Sequence, residues 1–256
     1  MWLPINASAH GHEIDFLIYL FHILMLVLFV GWGIYFVYVL LRFNRRANPK
    51  ANYVGTTSHI SSTIEVAVAV IEVVLLVGFS IPFWTKQVDA LPDRKDKVEV
   101  RIVAEQFAWN IHYPGPDGIF GKTDIKFMDK QSNPLGIDKT DPHSKDDFYT
   151  INQLHLPIGR PAVIHLSSKD VIHCLALPVM RVKQDVIPGM SIPTWFTPTK
   201  TGNFEIACAQ LCGLGHYRMK GFLVIDRPED YEKWVNEQMA ASSSSEEGGG
   251  ADDFWN

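Results

Sequence analysis

Cysteine is scarce in this chain: Cys174, Cys208 and Cys212 are the only three among 256 residues. Three thiols cannot build a disulfide framework. Two of them stand four residues apart, which points first to metal or redox chemistry. The pattern C-x-x-C-H occurs nowhere, so no c-type haem is attached to this chain. A surplus of base is also missing. Lys and Arg number 23 against 28 Asp and Glu, a net charge of −5, whereas a dedicated nucleic-acid binder shows a basic surplus or stripe.

Charge is absent most conspicuously near the N-terminus. Phe16–Leu41 contains no Asp, Glu, Lys or Arg. A bilayer core of about 30 Å needs roughly 20 apolar helical residues, and this run is longer, so it spans with some tilt. A secretory leader is the competing interpretation. It wants base before a short apolar core and a small-residue cleavage site after it. Met1–Asp15 carries no Lys or Arg, and the run ends in LRFNRR. A second span reads VAVAVIEVVLLVGFSIPFW within Ile64–Trp84, with Phe83 and Trp84 placed for an interfacial aromatic belt. The connector between the spans holds Arg42, Arg45, Arg46 and Lys50 and no acid. The flank before the first span holds Glu13 and Asp15 and no base. The positive-inside bias then puts the connector in the cytoplasm and both termini outside. Bases recur after the second span at Lys86, Arg94, Lys95 and Lys97, diluted by acids, so orientation rests on the first helix.

Two carboxylates belong to the second span. Glu65 and Glu72 are seven apart and so share a helix face. Glu65 is open to a bland interpretation as a solvated helix start, where acids are favoured anyway. Glu72 is not. An ionisable group in mid-bilayer usually faces protein or water, so the hairpin is expected to pack against a larger membrane partner.

From Val98 the periodicity changes. V-E-V-R-I-V alternates with period two, the mark of a strand with one buried face. Strand-like runs follow at Phe107–Tyr113, Ala162–Ser167, Val171–Leu177, Asn203–Ala207 and Phe222–Asp226. Turn signals punctuate them: PGPDG, PIGRP, IPGM and TKTG. The expected organisation is an N-terminal transmembrane hairpin over 1–97, with helices at about 14–42 and 64–85. An all-β sandwich or small barrel follows over 98–239, with an insertion at about 114–150. A helix is predicted over Pro228–Met239, and 240–256 is expected to be a disordered acidic tail.

The chemistry concentrates in C-A-Q-L-C-G-L-G-H-Y-R-M, residues 208–219. Thiolate, imidazole and thioether are ligands that suit copper. A mononuclear blue-copper site needs two His, one Cys and a weak axial Met, and this cluster has one thiolate too many for it. Two thiolates can bridge two coppers if another imidazole arrives, and His173 in S-K-D-V-I-H-C-L-A-L-P is the candidate. A Cys₂His₂ zinc site and a redox dithiol stay open. Zinc makes no use of Met219, and a thioredoxin-type dithiol wants C-x-x-C on a helix. Cys174 points to the strand face opposite His173 and reads as an inert buried thiol. Met128, Met180 and Met190 read as packing residues, and the histidines other than His173 and His216, including His165, as structural.

These motifs together resemble subunit II of the haem–copper cytochrome c oxidases in a bacterial form, over nearly the whole chain. In that family C-x-E-x-C-G-x-x-H-x-x-M with an upstream D-V-x-H holds the dinuclear copper A centre of a cupredoxin-like domain. The resemblance implies Cys208 and Cys212 as bridging thiolates, His173 and His216 as terminal imidazoles, and Met219 and the Gln210 carbonyl as weak ligands. K-Q-D-V-I-P-G at 183–189 matches K-x-D-x-x-P-G, and Asp170 matches the acid before the first ligand histidine. The implied function is transfer of electrons from cytochrome c or a similar periplasmic donor to the haems of subunit I. There oxygen is reduced to water with proton translocation. The implied partners are subunit I, other oxidase subunits and the lipid bilayer of the bacterial plasma (inner) membrane, with no nucleic acid.

Departures from the family pattern are equally specific. The donor-facing motif Q-W-x-W reads Q-F-A-W here, so Phe107 takes the position that first accepts electrons and Trp109 the second. Both are expected near the copper at the exposed end of the domain. Arg181 falls in the region the family keeps near the haem propionates. Glu65 matches the acid at the mouth of a proton path, although Val68 and Ala69 replace the W-T of E-x-x-W-T. Glu72 falls where the family usually has Pro. Gln210 replaces a Glu whose carboxylate reaches magnesium at the subunit I boundary, so that magnesium is expected to be weakened, rebuilt or lost. A quinol oxidase subunit II lacks the copper ligands, and nitrous oxide reductase needs a propeller that this length cannot hold. A membrane-tethered copper carrier or assembly protein stays as the alternative; it would not need Glu65 or Glu72.

Overall fold

The computed structural model describes residues 3–50, 53–55, 57–89, 91–92, 97–129 and 132–247. Arg94 and Lys95 and the end of the acidic tail lie outside them. The chain forms two compact units: residues 12–90, and residues 1–11 together with 91–256.

In the helical unit, α1 covers Gly11–Arg42 and α2 covers Ile60–Leu75. A π-helical turn at Leu76–Ser80 leads into α3, Ile81–Asp89. The wide turn has a local cause. Pro82 has no N–H to donate and its ring crowds the carbonyl four residues back. Just before it, the Ser80 hydroxyl donates to the Leu75 carbonyl at 3.3 Å. The second helical segment begins a turn earlier than the apolar run suggests, because the polar S-S-T stretch is helical too; Thr63 N–H and Oγ1 both donate to the His59 carbonyl at 3.0 Å. Glu65 therefore sits in the second turn and not at a solvated helix start, and its carboxylate accepts a 2.8 Å bond from the Ser61 hydroxyl. Lys86, near the end of the second segment, reaches Glu13 near the start of the first at 2.7 Å. Both segments are long and apolar enough to cross a membrane, and almost none of either is buried within the chain.

The second unit is a sandwich of two five-stranded sheets. In chain order the strands are β1 (Val98–Glu105), β2 (Ala108–Tyr113), β3 (Phe148–Ile151), β4 (Gln153–Pro157), β5 (Ala162–Ser168), β6 (His173–Leu177), β7 (Val182–Val186), β8 (Ile192–Phe196), β9 (Gly202–Cys208) and β10 (Lys220–Asp226). One sheet runs β3-β2-β1-β5-β8 and the other β4-β10-β9-β6-β7. The β1–β5 and β10–β4 pairs are parallel, and the others are antiparallel. The alternation in β1 turns Val98, Val100, Ile102 and Ala104 inward. They meet Leu175, Ile206 and Leu223 of the opposite sheet in one core. Burying a Val, Leu or Ile side chain stabilises a fold by about 1.5–3 kcal/mol, so this layer dominates the stability of the unit. β6 is buried along its whole length, which fits a strand covered on both faces.

Helix α4 (Pro228–Glu247) closes the sandwich, with Trp234 edge-on to Tyr113 and stacked on His155 at 4.1 Å. It runs through Ala240–Glu247, which corrects the expectation of disorder for that stretch. Extending an existing helix costs no new nucleus, and Ala240 and Ala241 favour helix.

The connection between β2 and β3, residues 114–147, holds two short 3₁₀ turns. Aspartates organise it by accepting backbone N–H groups: Asp124 from Lys126, Asp141 from His143 and Lys122, Asp147 from Gly121. Met128 there and Met190 elsewhere are exposed, which corrects their reading as packing residues, whereas Met180 is fully buried.

The N-terminal segment belongs to the sandwich and not to the hairpin unit. Ala7 N–H donates to the Val179 carbonyl at 2.8 Å, and its carbonyl accepts from Thr199 N–H at 2.8 Å. The Ser8 hydroxyl donates to the Met180 carbonyl at 2.8 Å. The unit thus starts before the first membrane helix. No composition shift marks this, because the segment is short and, like the helix that follows it, carries little charge.

Candidate metal centre

Three elements bring the donor groups together. β6 begins at His173, β9 ends at Cys208, and Leu175 of β6 pairs with Cys208 of β9. The loop between β9 and β10 then carries Gln210, Cys212, His216 and Met219, with a short 3₁₀ turn at His216–Arg218. The two Sγ atoms are 3.8 Å apart. His173 Nδ1 lies 3.9 Å from Cys208 Sγ, and His216 Nδ1 lies 3.6 Å from Cys212 Sγ. Met219 Sδ is 3.7 Å from Cys212 Sγ, and the Gln210 carbonyl oxygen is 3.2 Å from Cys208 Sγ. All six groups of the expected set therefore converge.

The donor set fits a soft metal. Metal–thiolate bonds of about 2.3 Å allow two sulfurs sharing an ion to lie within roughly 4.6 Å of each other, and the observed 3.8 Å is inside that range. His173 is fully buried, and Cys212 and Met219 nearly so, so little water would compete with a metal held there. Asp170 Oδ1 sits 2.9 Å from His173 Nε2. The carboxylate keeps the imidazole proton on Nε2 and leaves the Nδ1 lone pair aimed at the sulfurs. Burial opposes ionisation of Asp170, but hydrogen bonds from His173 and from the Gln106 and Val171 amides outweigh it and hold the carboxyl below its usual range. Burial, and then the adjacent Cys208 thiol, push Cys212 up to about 11. At neutral pH that thiol is protonated, and metal uptake displaces its proton.

Cys174 stays apart from the donor set. It is buried, and burial followed by Asp185 pushes it up to about 12, so it is inert toward thiol chemistry at neutral pH.

The remaining expected site residues divide. Phe107 is half-buried at the β1–β2 turn, against Gly213 and Gly215 of the donor loop. Trp109 is fully buried, with its ring edge-on to His173 at 6.2 Å. This corrects its placement on the exposed end: in β2 it turns into the space between the sheets, so no partner protein can touch it. Arg181 adopts a left-handed conformation (φ 57°). Its guanidinium donates to the carbonyls of Pro178 at 2.6 Å and Pro4 at 2.7 Å, tying the N-terminal segment to the turn after β6. The Gln210 side chain is exposed, and so is Glu72. Sequence reasoning missed one contact at the centre, that of Gln106, because it joins residues over a hundred positions apart. It also missed the buried His112–Asp147 pair, whose members stand 35 positions apart.

Residues 98–226 match the family model described as cytochrome c oxidase subunit II, periplasmic domain. The alternative cytochrome c oxidase subunit 2 of Bradyrhizobium diazoefficiens is 33% identical over 238 residues, covering 93% of this chain and 83% of that one. The probable cytochrome c oxidase subunit 2 of Rickettsia bellii is 29% identical over 234 residues, covering 91% and 80%. Among solved structures, the periplasmic domain of subunit II of cytochrome oxidase (CoxB) of Bradyrhizobium japonicum matches at 27% identity with a TM-score of 0.44. That match covers 59% of this chain and 99% of the other.

Proposed function

The chain belongs to the cytochrome c oxidase subunit II family, and from that premise we propose that it is the electron-accepting subunit of a respiratory haem–copper oxidase. It receives electrons from cytochrome c or a similar periplasmic donor and delivers them to the haems of subunit I, where oxygen is reduced to water. The observation that carries this reading is the convergence of two thiols, two imidazoles, a thioether and a carbonyl on one largely buried spot. A dinuclear copper A centre held there supplies a one-electron store shared over two ions.

The chain's own groups have separable tasks. Cys208 and Cys212 would hold the copper as the thiolate donors, His173 and His216 as the imidazole donors through Nδ1, and Met219 and the Gln210 carbonyl as the weaker donors. Asp170 fixes the His173 tautomer. Phe107 occupies the surface position between a donor and the centre, and Trp109 packs behind His173 as a buried conduit. Arg181 braces the turn after β6, and its role toward the haem propionates rests on the family resemblance alone. The domain boundaries follow the two units, with the N-terminal segment counted in the copper domain.

We place the sandwich and both termini on the periplasmic side of the plasma membrane. The basic connector supports this orientation, and so does the pairing of the segment before α1 with the sandwich after α3, since two spans return the chain to its starting side. Purification of the native assembly tests the whole reading. The expected result is a haem-containing complex with two coppers in this subunit and cytochrome c oxidation activity. A copper-loaded chain that purifies without haem or partner subunits would show it to be a tethered copper carrier instead.

Glu65 is assigned to the mouth of a proton path into subunit I. In the second turn of α2 it lacks the support of a helix start, and Ser61 orients its carboxylate. Glu65→Ala is expected to slow turnover severalfold while reduction of copper by the donor stays fast. Unchanged turnover in stopped-flow assays would return Glu65 to a surface role. Glu72, on the same helix face, is assigned to face subunit I or a polar cavity, and a structure of the complex showing it against lipid would refute that.

A further inference from the structure

One residue outside the donor set touches both halves of the centre. Gln106 lies at the tip of the β1–β2 turn. Its backbone N–H donates to Asp170 Oδ2 at 2.7 Å, and the other oxygen of that carboxylate holds His173 Nε2. Its side-chain Nε2 donates to the Cys212 carbonyl at 2.6 Å. The donor loop needs such a contact. Gly213, directly after Cys212, has φ +129°, a conformation other residues rarely adopt, and a glycine there lets the Cys212 peptide swing. A Cβ on Gly213 would stand 2.7 Å from Gln106 Nε2 and 3.2 Å from Phe107 Cζ, so the turn rests directly on the flexible point of the loop.

We propose that Gln106 is a positioning residue for the metal centre: its amide pins the Cys212 peptide, and its own N–H orients Asp170 and, through it, His173. The inference rests on the copper reading above and extends it to a group that binds no metal. A carbonyl free to rotate would carry Cys212 Sγ with it and alter its approach to His216 and Met219. A centre that relaxes in this way changes shape between oxidation states, which slows electron transfer. Hydrogen-bonding groups that orient metal ligands alter metal affinity by about 10–100-fold when removed.

The test uses the full-length chain in detergent, unmodified and as Gln106→Ala and Gln106→Glu. The glutamate variant keeps the volume and the backbone bond to Asp170 but faces the Cys212 carbonyl with an acceptor. Three quantities are read: the electron paramagnetic resonance spectrum of the copper-loaded chain, the rate of copper extraction by a chelator, and site-resolved labelling of Cys212 in the metal-free chain. The expected result for both variants is an altered hyperfine pattern, extraction faster by about tenfold or more, and faster Cys212 labelling, with the metal-free unfolding midpoint little changed. Unaltered spectra, extraction and labelling would overturn the proposal. So would faster extraction that merely tracks a lowered unfolding midpoint in both variants. If Gln106→Ala fails to fold, Gln106→Glu decides. If the unmodified chain takes up fewer than two coppers, the copper reading fails, while Cys212 labelling still decides whether Gln106 holds the loop.

Discussion

Cys212→Ser should reduce copper from two ions per chain to one or none and abolish the purple, mixed-valent absorption of the loaded protein. Among the donors, Cys212 has three sulfur or imidazole neighbours: Cys208 Sγ at 3.8 Å, His216 Nδ1 at 3.6 Å and Met219 Sδ at 3.7 Å. A serine hydroxyl is a hard donor that stays protonated, and it cannot replace a soft bridging thiolate. Water cannot take the vacated position either, because the side chain is only 3% exposed. Serine is close to cysteine in size, so the metal-free fold should survive and the loss can be read as a ligand effect. Met219→Leu gives the contrast. It removes a weak thioether from a buried spot, and it should leave two coppers bound with a shifted spectrum. Metal analysis with absorption spectroscopy checks both variants, and two coppers with an unchanged spectrum in Cys212→Ser would dispose of the bridging role.

The cluster of donor groups is legible in the sequence because its members are nearly contiguous. Five of the six donor groups fall within residues 208–219, and only His173 comes from elsewhere. Their spacing reports the chemistry directly. The contact from Gln106 comes from another strand pair. Gln106 and Cys212 are 106 residues apart, and no local pattern announces a hydrogen bond across that distance. Trp109 fails as a donor contact for a related reason. A period-two pattern says that alternate residues share a face, but it does not say which face meets the opposite sheet.

Strand recognition divided along the same physical line. The six runs visible in the sequence became β1, β2, β5, β6, β9 and β10, which are the inner strands of the two sheets. The four that were not recognised, β3, β4, β7 and β8, are the sheet edges. Edge strands are short and tolerate charge and proline, because one side of the backbone ladder stays open. V-K-Q-D-V and I-P-T-W-F show both licences. V-K-Q-D-V lacks the apolar density that marks an inner strand, and the proline in I-P-T-W-F argues against one; pairing with β6 and β5 makes them strands.

The 114–147 connection looked irregular for a comparable reason, since its order comes from a buried pair that the sequence separates by 35 positions. His112 Nε2 lies 2.7 Å from Asp147 Oδ2, with side-chain exposures of 1% and 0%. The same carboxylate oxygen accepts Gly121 N–H at 2.8 Å. Phe120 packs edge-on to the His112 ring at 5.1 Å, and the Arg101 guanidinium lies over the Phe120 ring, 4.0 Å from its centroid. One carboxylate thus fastens both ends of the connection to β2. Asp147→Ala removes it and strands a buried imidazole and a buried amide. Leaving one buried hydrogen-bonding group unsatisfied costs about 1–3 kcal/mol, and here two are stranded. For a domain of this size, each kcal/mol lowers the melting temperature by about 2–4 °C. The expected result is a fall of about 4–8 °C at the low end of that cost, with proteolytic cleavage appearing first within 114–147. Asp147→Asn keeps one acceptor oxygen in nearly the same place, so it should lose about half as much. Copper stoichiometry should stay at two in both variants, because none of the donor groups touches His112 or Asp147. Calorimetry of the full-length chain measures the shift. A change under about 2 °C for Asp147→Ala, well below what the loss of a buried pair predicts, would mean that the connection is held by its surface aspartates and that the buried pair is incidental.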